Sequence, residues 1–212
     1  MKRLSEFALV PSVIGCDLCN LESDVQKLKA VGYQALHVDV LDGHYSPSMP
    51  IGLDTYKQLA KRTDLGFDIH IMSTNNDFFV QECIKMNPRR ICFQVEGERH
   101  ITNLLGMIKN AGISAGLAFA PATNIETVRP ILAECDFILL MRIEPGYAGF
   151  SNRELAGMRE KICNARKTLD SIRPGIGLTI DGRVSFADAP ELIRAGATSL
   201  VCGSRCLCLP GL

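Results

Sequence analysis

Four residues carry the chemistry that this chain can do: His37, Asp39, His70 and Asp181. His37 and Asp39 interrupt the apolar run Ala35 to Val40 within the stretch His37-Val38-Asp39-Val40-Leu41-Asp42-Gly43-His44. A strand has a period of two, so both side chains project from one face. An imidazole and a carboxylate buried side by side are costly unless they hold a metal ion or each other. Taken alone, the stretch leaves open a buried His–Asp hydrogen bond, a metal site or a catalytic pair.

The elements that must position these residues follow from hydrophobic periodicity and turn signals. Strands are expected at Phe7 to Pro11, Ala35 to Val40, Phe67 to Met72, Arg90 to Val95, Ser114 to Phe119, Phe137 to Ile143, Ile176 to Ile180 and Ser199 to Cys202. Between them the spacing predicts helices at Ser23 to Val31, Gly52 to Arg62, Asn75 to Met86 and His100 to Ala111. A helix opened by the capping-box spacing Thr123-Asn124-Ile125-Glu126 runs towards Glu134, with Pro130 to kink or restart it. Ser151 to Leu169 is expected to be the longest helix, and Ser185 to Ala195 the last clear one. After Ser204 only eight residues follow, so the eighth helix is expected to be short or missing.

Eight short apolar strands alternating with helices predict a parallel sheet buried on both faces. The fold class is α/β, and residues 1–212 read as a single compact (β/α)8 TIM-barrel domain. An open doubly wound sheet is the rival, but no G-x-G-x-x-G follows the first strand. In a barrel, chemistry collects at the C-terminal strand ends. The polar residues there are Ser12, His37, Asp39, His70, Gln94 and Asp181. Two imidazoles and two carboxylates converging in one mouth can hold a divalent ion such as Zn, Mn or Fe. No Lys stands at a predicted strand end, which argues against a Schiff-base aldolase, and Asp-x-Lys occurs nowhere. Gly146, Tyr147, Ala148 and Gly149, then Asp181-Gly182, then Gly203-Ser204 follow the last three strands. Barrels hold phosphate with backbone N–H groups from those loops.

Composition narrows the partners. Lys plus Arg and Asp plus Glu are both 23, so the net charge is zero, and neither a nucleic acid nor a membrane surface is an expected partner. No apolar run approaches membrane-spanning length. The N-terminal Met1-Lys2-Arg3 with Phe7 to Ile14 and Cys16 resembles a lipoprotein signal only faintly, because Glu6 and Pro11 interrupt it. Most of the nine cysteines sit in apolar contexts, as expected of buried thiols in a reduced cytoplasm. Cys16-Asp17-Leu18-Cys19 has C-x-x-C spacing without a second pair, and Cys202, Cys206 and Cys208 crowd the C-terminus. Redox or zinc use of either group is a weak alternative.

In these residues the chain resembles the ribulose-phosphate 3-epimerase family from Pro11-Ser12 to Gly203-Ser204. The His37 to His44 stretch carries the most specific likeness, with Leu41 where the family usually has Met. Asp68-Ile69-His70-Ile71-Met72, Pro121-Ala122-Thr123 and Glu144-Pro145-Gly146-Tyr147-Ala148-Gly149 are similar to further family motifs. The resemblance implies that His37, Asp39, His70 and Asp181 are the ligands of one divalent metal ion. It implies that Asp39 and Asp181 are also the acid–base pair, and that Ser12, Met72 and Met141 lie beside the substrate. It further implies a dimer or hexamer. The expected reaction is inversion at C3 of a ketose phosphate, most simply D-ribulose 5-phosphate to D-xylulose 5-phosphate. A hexulose phosphate such as allulose 6-phosphate, or a silent sugar-phosphate-binding barrel, is the alternative. Departures are expected to surround the phosphate and distal substrate sites and to leave the four ligands alone. Arg183 replaces a second glycine, Phe150 a Gln, Gln94 a frequent His, and Arg142 a Ser or Thr. Arg183 either binds phosphate through paired charged bonds or is an exposed surface Arg.

Overall fold

The computed structural model describes residues 8–146, 154 and 156–203. Eight parallel strands alternate with helical segments. The strands are β1 (Ala8–Pro11), β2 (Ala35–Leu41), β3 (Gly66–Met72), β4 (Arg90–Gln94), β5 (Ser114–Phe119), β6 (Phe137–Met141), β7 (Gly177–Asp181) and β8 (Ser199–Cys202). The α-helices are α1 (Leu21–Val31), α2 (Leu53–Ala60), α3 (Asn76–Ile84), α4 (Ile101–Asn110), α5 (Met158–Ile172) and α6 (Ala189–Arg194). A 3₁₀ segment spans Ile125–Glu134 between β5 and β6. The sheet order is β1-β8-β7-β6-β5-β4-β3-β2, and a single bridge between Ser12 and His37 joins the two outer strands. The fold is the expected (β/α)8 TIM barrel.

Strand parity divides the apolar residues into two sets. Ile91, Phe93, Leu117, Phe119, Ile138 and Leu140 belong to the large core that includes the helices. Cys92, Ala118, Phe137, Leu139 and Met141, from alternate positions of the same strands, form a second cluster that fills the barrel. Each fully buried Leu or Ile in these layers stabilises the fold by about 1.5–3 kcal/mol relative to exposure.

The boundaries differ from the sequence expectations for local reasons. Asn124, not Thr123, caps the segment at Ile125, because its side chain accepts from the Glu126 N–H at 3.0 Å. That segment is 3₁₀ rather than α, and Val128, two residues before Pro130, has non-helical angles. The helix expected from Ser151 begins at Met158, after Gly157 at φ 85°, a conformation that an α-helix does not contain. Regular α-helix starts at Ala189 rather than Ser185, yet Ser185 does open the turn. Its hydroxyl accepts from the Asp188 N–H, and the Asp188 carboxylate accepts from the Ser185 N–H, both at 3.2 Å. Arg142 and Ile143, expected at the end of β6, form a bend beyond it. The segment after Ser204, where the eighth helix is expected to be short or missing, lies outside the described residues. Among the described residues, no helix is long and apolar enough to cross a membrane.

Candidate active site

β2 carries His37 and Asp39 inwards, β3 carries His70, and β7 ends on Asp181. Both imidazoles are fully buried, and both carboxylates are nearly so. His37 Nε2 lies 3.2 Å from Asp39 Oδ1 and 3.7 Å from Asp181 Oδ2. His70 Nδ1 lies 3.3 Å from Asp39 Oδ1 and 3.8 Å from Asp181 Oδ2. The four expected ligands thus offer one donor atom each, all within 4.8 Å of one another.

This geometry fits a metal. A tetrahedral site with bonds of about 2.0–2.1 Å has ligand–ligand edges of about 3.3 Å. The two distances to Asp39 match it, and the two to Asp181, 3.7 and 3.8 Å, are somewhat longer. His37 Nε2 and His70 Nδ1 are buried with no hydrogen-bond partner, and both face the shared space. Each ring is held from behind. His37 Nδ1 lies 3.5 Å from Asp68 Oδ2, and Asp68 is paired with Arg90. Gln94 Nε2 lies 2.9 Å from His70 Nε2. Such outer partners orient metal-ligating histidines and fix their tautomers. Asp39 is anchored twice more. Tyr56 donates its hydroxyl to the Asp39 carbonyl at 2.9 Å, and Ser12 donates to Asp39 Oδ2 at 3.2 Å.

The same contacts separate the two carboxylates. Burial favours the neutral acid at Asp39, but the neighbouring imidazoles of His37 and then His70 outweigh it and hold the carboxyl well below the usual range. At Asp181, burial and then the charge of Asp39 outweigh the two histidines and raise the affinity for a proton. Burial also opposes charge on His37, but Asp39 and Asp68 raise its proton affinity well above the ordinary imidazole value. A pair of acids pushed apart in this way suits one to accept a proton and the other to deliver one.

Above the quartet lies a cavity of about 300 Å³. Ser12, Met72 and Met141 line it, as do Gly146, Gly182, Arg183 and Gly203. These expected substrate-side residues therefore gather in one mouth. Tyr147, Ala148, Gly149 and Ser204, expected with them, lie outside the described residues, as does Phe150. Gly182 has φ 99°, and a Cβ there would stand 2.9 Å from Ile143 Cγ1. Only glycine fits that turn. Arg183 follows with φ 51°, a left-handed conformation unusual for a side-chain-bearing residue. Arg142 is buried and is paired with Glu154 and, at 3.1 Å, with Asp188 Oδ2. The guanidinium therefore ties the end of the β6 loop to the start of α6.

Asp68, Arg90 and the Arg142 clamp were not singled out by sequence reasoning as parts of the site. A signal for the first two exists. Asp68 stands two residues before His70 on the same strand face, and β4 sets Arg90 in register with Asp68. Asp42, read as a turn, does more. Its carboxylate accepts from the N–H groups of His44, Tyr45 and Thr74 and from the hydroxyls of Ser73 and Thr74, clipping the β2 loop to the β3 loop.

Two other groups are set aside by the structure. Cys16 is buried, Cys19 is exposed, and neither is in a disulfide. Burial and then Asp24 push the Cys16 thiol up to about 11, the opposite of what thiolate chemistry needs. Cys206 and Cys208 lie outside the described residues. A cavity of about 420 Å³ on the outer wall shares no lining residue with the mouth. Its Lys161 ammonium already donates to the carbonyls of Ala120, Pro121 and Thr123, which uses all three of its protons.

Comparison with known proteins agrees with this geometry. The model of the "Ribulose-phosphate 3 epimerase family" matches residues 8–207. A ribulose-phosphate 3-epimerase of Chlamydia pneumoniae is 33% identical over 206 residues, covering 96% of this chain and 89% of that protein. One from Serratia marcescens is 32% identical, covering 95% of each. Among solved structures, tryptophan synthase of Mycobacterium tuberculosis superposes with a TM-score of 0.66 at 10% identity, covering 94% of this chain and 83% of that one. Thiamine phosphate pyrophosphorylase of Pyrococcus furiosus gives a TM-score of 0.58 at 14% identity, covering 94% of this chain and 86% of that one. Those two likenesses concern the barrel alone. The match along the strands that carry His37, Asp39, His70 and Asp181 is of another order, and by it the chain belongs to the ribulose-phosphate 3-epimerase family, isomerases acting on carbohydrates.

Proposed function

We propose that the chain inverts C3 of a ketose phosphate, interconverting D-ribulose 5-phosphate and D-xylulose 5-phosphate. The observation that carries this is the convergence of Asp39 and Asp181, two largely buried carboxylates, on one donor set with His37 and His70. Asp39, ionised, takes the C3 proton from one face of the sugar. Asp181 delivers a proton to the other face, and the reverse reaction exchanges the roles. His37, Asp39, His70 and Asp181 would hold one divalent ion, Zn, Mn or Fe. Such an ion supplies Lewis-acid polarisation of the neighbouring carbonyl and offsets the negative charge that develops there. Ser12 steadies Asp39, and Met72 and Met141 give the sugar carbons an apolar bed that excludes water.

The phosphate belongs at the Gly146, Gly182 and Gly203 side of the mouth, where Arg183 adds a guanidinium. Tyr147, Ala148, Gly149 and Ser204 are assigned to the same end by the family pattern. The test is proton exchange. In D2O, the C3 position of D-ribulose 5-phosphate should take up solvent deuterium as D-xylulose 5-phosphate appears. A C6 ketose phosphate run in parallel should react more slowly. Absence of exchange with both sugars, in protein of measured metal content, would refute the reading. Light scattering on the same sample reads the dimer or hexamer that the family pattern implies.

A further inference from the structure

His70 can bind a metal through Nδ1 only if that nitrogen carries a lone pair, so the ring proton must sit on Nε2. Nε2 faces Gln94, a residue whose family counterpart is frequently His. The Gln94 side chain is fully buried. Its Nε2 lies 2.9 Å from His70 Nε2, while its Oε1 has no partner. In this orientation the amide donates, the His70 proton sits on Nδ1, and that N–H faces Asp39 Oδ1 at 3.3 Å. A half-turn of the amide exchanges its oxygen and nitrogen at nearly constant shape. Oε1 then accepts from the Nε2–H and the Nδ1 lone pair is released towards the carboxylates. The half-turn exchanges one hydrogen bond to His70 for another and moves the amide nitrogen to the unpartnered position that Oε1 now holds.

We propose that Gln94 is a positioning residue that sets the tautomer of His70, turning its amide so that Oε1 holds the Nε2 proton when the metal binds. The proposal rests on the metal reading of the quartet. It also explains why an amide serves at this position. An amide can satisfy either tautomer, whereas a carboxylate can only accept. An amide also adds no charge to a site that already holds Asp39, Asp68 and Asp181. His37 is handled differently, since the Asp68 carboxylate faces its Nδ1 and holds one tautomer permanently.

The experiment measures zinc binding by competition with a chelator, together with the tautomer of His70 by nitrogen-15 NMR of the zinc-loaded protein. Gln94→Leu should weaken zinc binding about 10–100-fold while keeping one site per chain, the usual effect of removing an outer partner of a ligating histidine. Gln94→Glu, which can still accept, should stay within about threefold of the parent on the same argument. The NMR signature expected is a protonated Nε2 and an unprotonated Nδ1, and it needs no substitution, so it decides the matter even if Gln94→Leu fails to fold. Zinc bound as tightly by Gln94→Leu as by the parent, while His70→Ala loses it, would overturn the role of Gln94 and leave the quartet standing. A protonated Nδ1 in the loaded protein would overturn it too. Failure of the parent itself to bind zinc would overturn both readings together.

Discussion

At the floor of the mouth the donors sit on strands, and at the rim the groups that face the cavity sit on loops. His37, Asp39, His70 and Asp181 take their directions from strand pairing, which allows each side chain one of two faces. At the rim, Gly182 and Arg183 take theirs from two successive left-handed residues, and Arg142 takes its from ion pairs with two other segments. A floor built on parity fixes which residues face inwards. A rim built on loop conformation can be re-cut without disturbing the floor. Two departures of this chain from its family, Arg142 and Arg183, lie there, while a third, Gln94, stands behind His70 at the floor. The lesson is that reaction type and substrate fit are stored in separate parts of the fold.

The largest effect expected is at the floor. Asp39→Asn and Asp181→Asn should each lower kcat/KM by about 10²–10⁴-fold in both directions, the range for losing a general acid or base. Deuterium uptake at C3 measures it, and near-normal turnover in either variant would break the assignment of chemistry to the floor. Next comes metal content. The parent should carry about one divalent ion per chain, His37→Ala should carry none, and His100→Ala should match the parent, because His100 lies at the start of α4 and outside the quartet. Equal content in the two variants, by elemental analysis, would separate the quartet from the metal.

One layer below, Asp68→Asn should destabilise the fold by about 2 kcal/mol in urea at neutral pH, because it leaves the partly buried Arg90 guanidinium without its counter-charge. Burial would raise the Asp68 carboxyl, but Arg90 and His37 outweigh it and lower it to about 2. The unfolded chain binds this proton more readily than the folded one. The contribution is therefore complete above the ordinary carboxylate value and is lost as pH falls through that value towards about 2. Asp68→Asn should accordingly flatten the acid limb of the stability curve. An unchanged limb would show that the layer beneath the floor does not support it. The smallest effect belongs to the rim. Arg183→Gly should raise KM about tenfold, since one charged hydrogen bond is worth about 1.5–3 kcal/mol. The loss should shrink for a sugar without phosphate. Unchanged kinetics would return Arg183 to the surface and leave the glycine backbone to hold the phosphate.

Much of the floor was legible in the sequence because a period of two is a strict rule. β5 and β8 were read to the residue, and His37 and Asp39 were placed on one face from spacing alone. Bringing β7 and Asp181 to that face took the barrel topology, which periodicity suggests and only closure provides. Other details depend on contacts that no local pattern announces. Thr123 and Asn124 are both good caps, and the choice fell on the residue whose oxygen reaches the Glu126 N–H. The start of α5 moved from Ser151 to Met158 through a left-handed glycine, whose φ the sequence leaves free. Arg142 looked like a simple departure, while its meaning lies in carboxylates 12 and 46 residues further along the chain.

The joining of β1 to β2 has a consequence for how the protein comes apart. Among the described residues, every other neighbouring pair in the sheet shares at least two register positions, but this seam rests on one bridge from Ser12 to His37 and on the hydroxyl that Ser12 gives to Asp39. The cylinder therefore has a slit, and the slit runs through the reactive centre. Breathing motions that part the slit must first disturb Asp39, so local opening and loss of catalytic geometry are one event. Anything that steadies Asp39 and His37 acts as a rivet on the whole cylinder. Amide hydrogens along the slit should then exchange more slowly whenever the centre is occupied, and those on the far wall at β4 and β5 should change little.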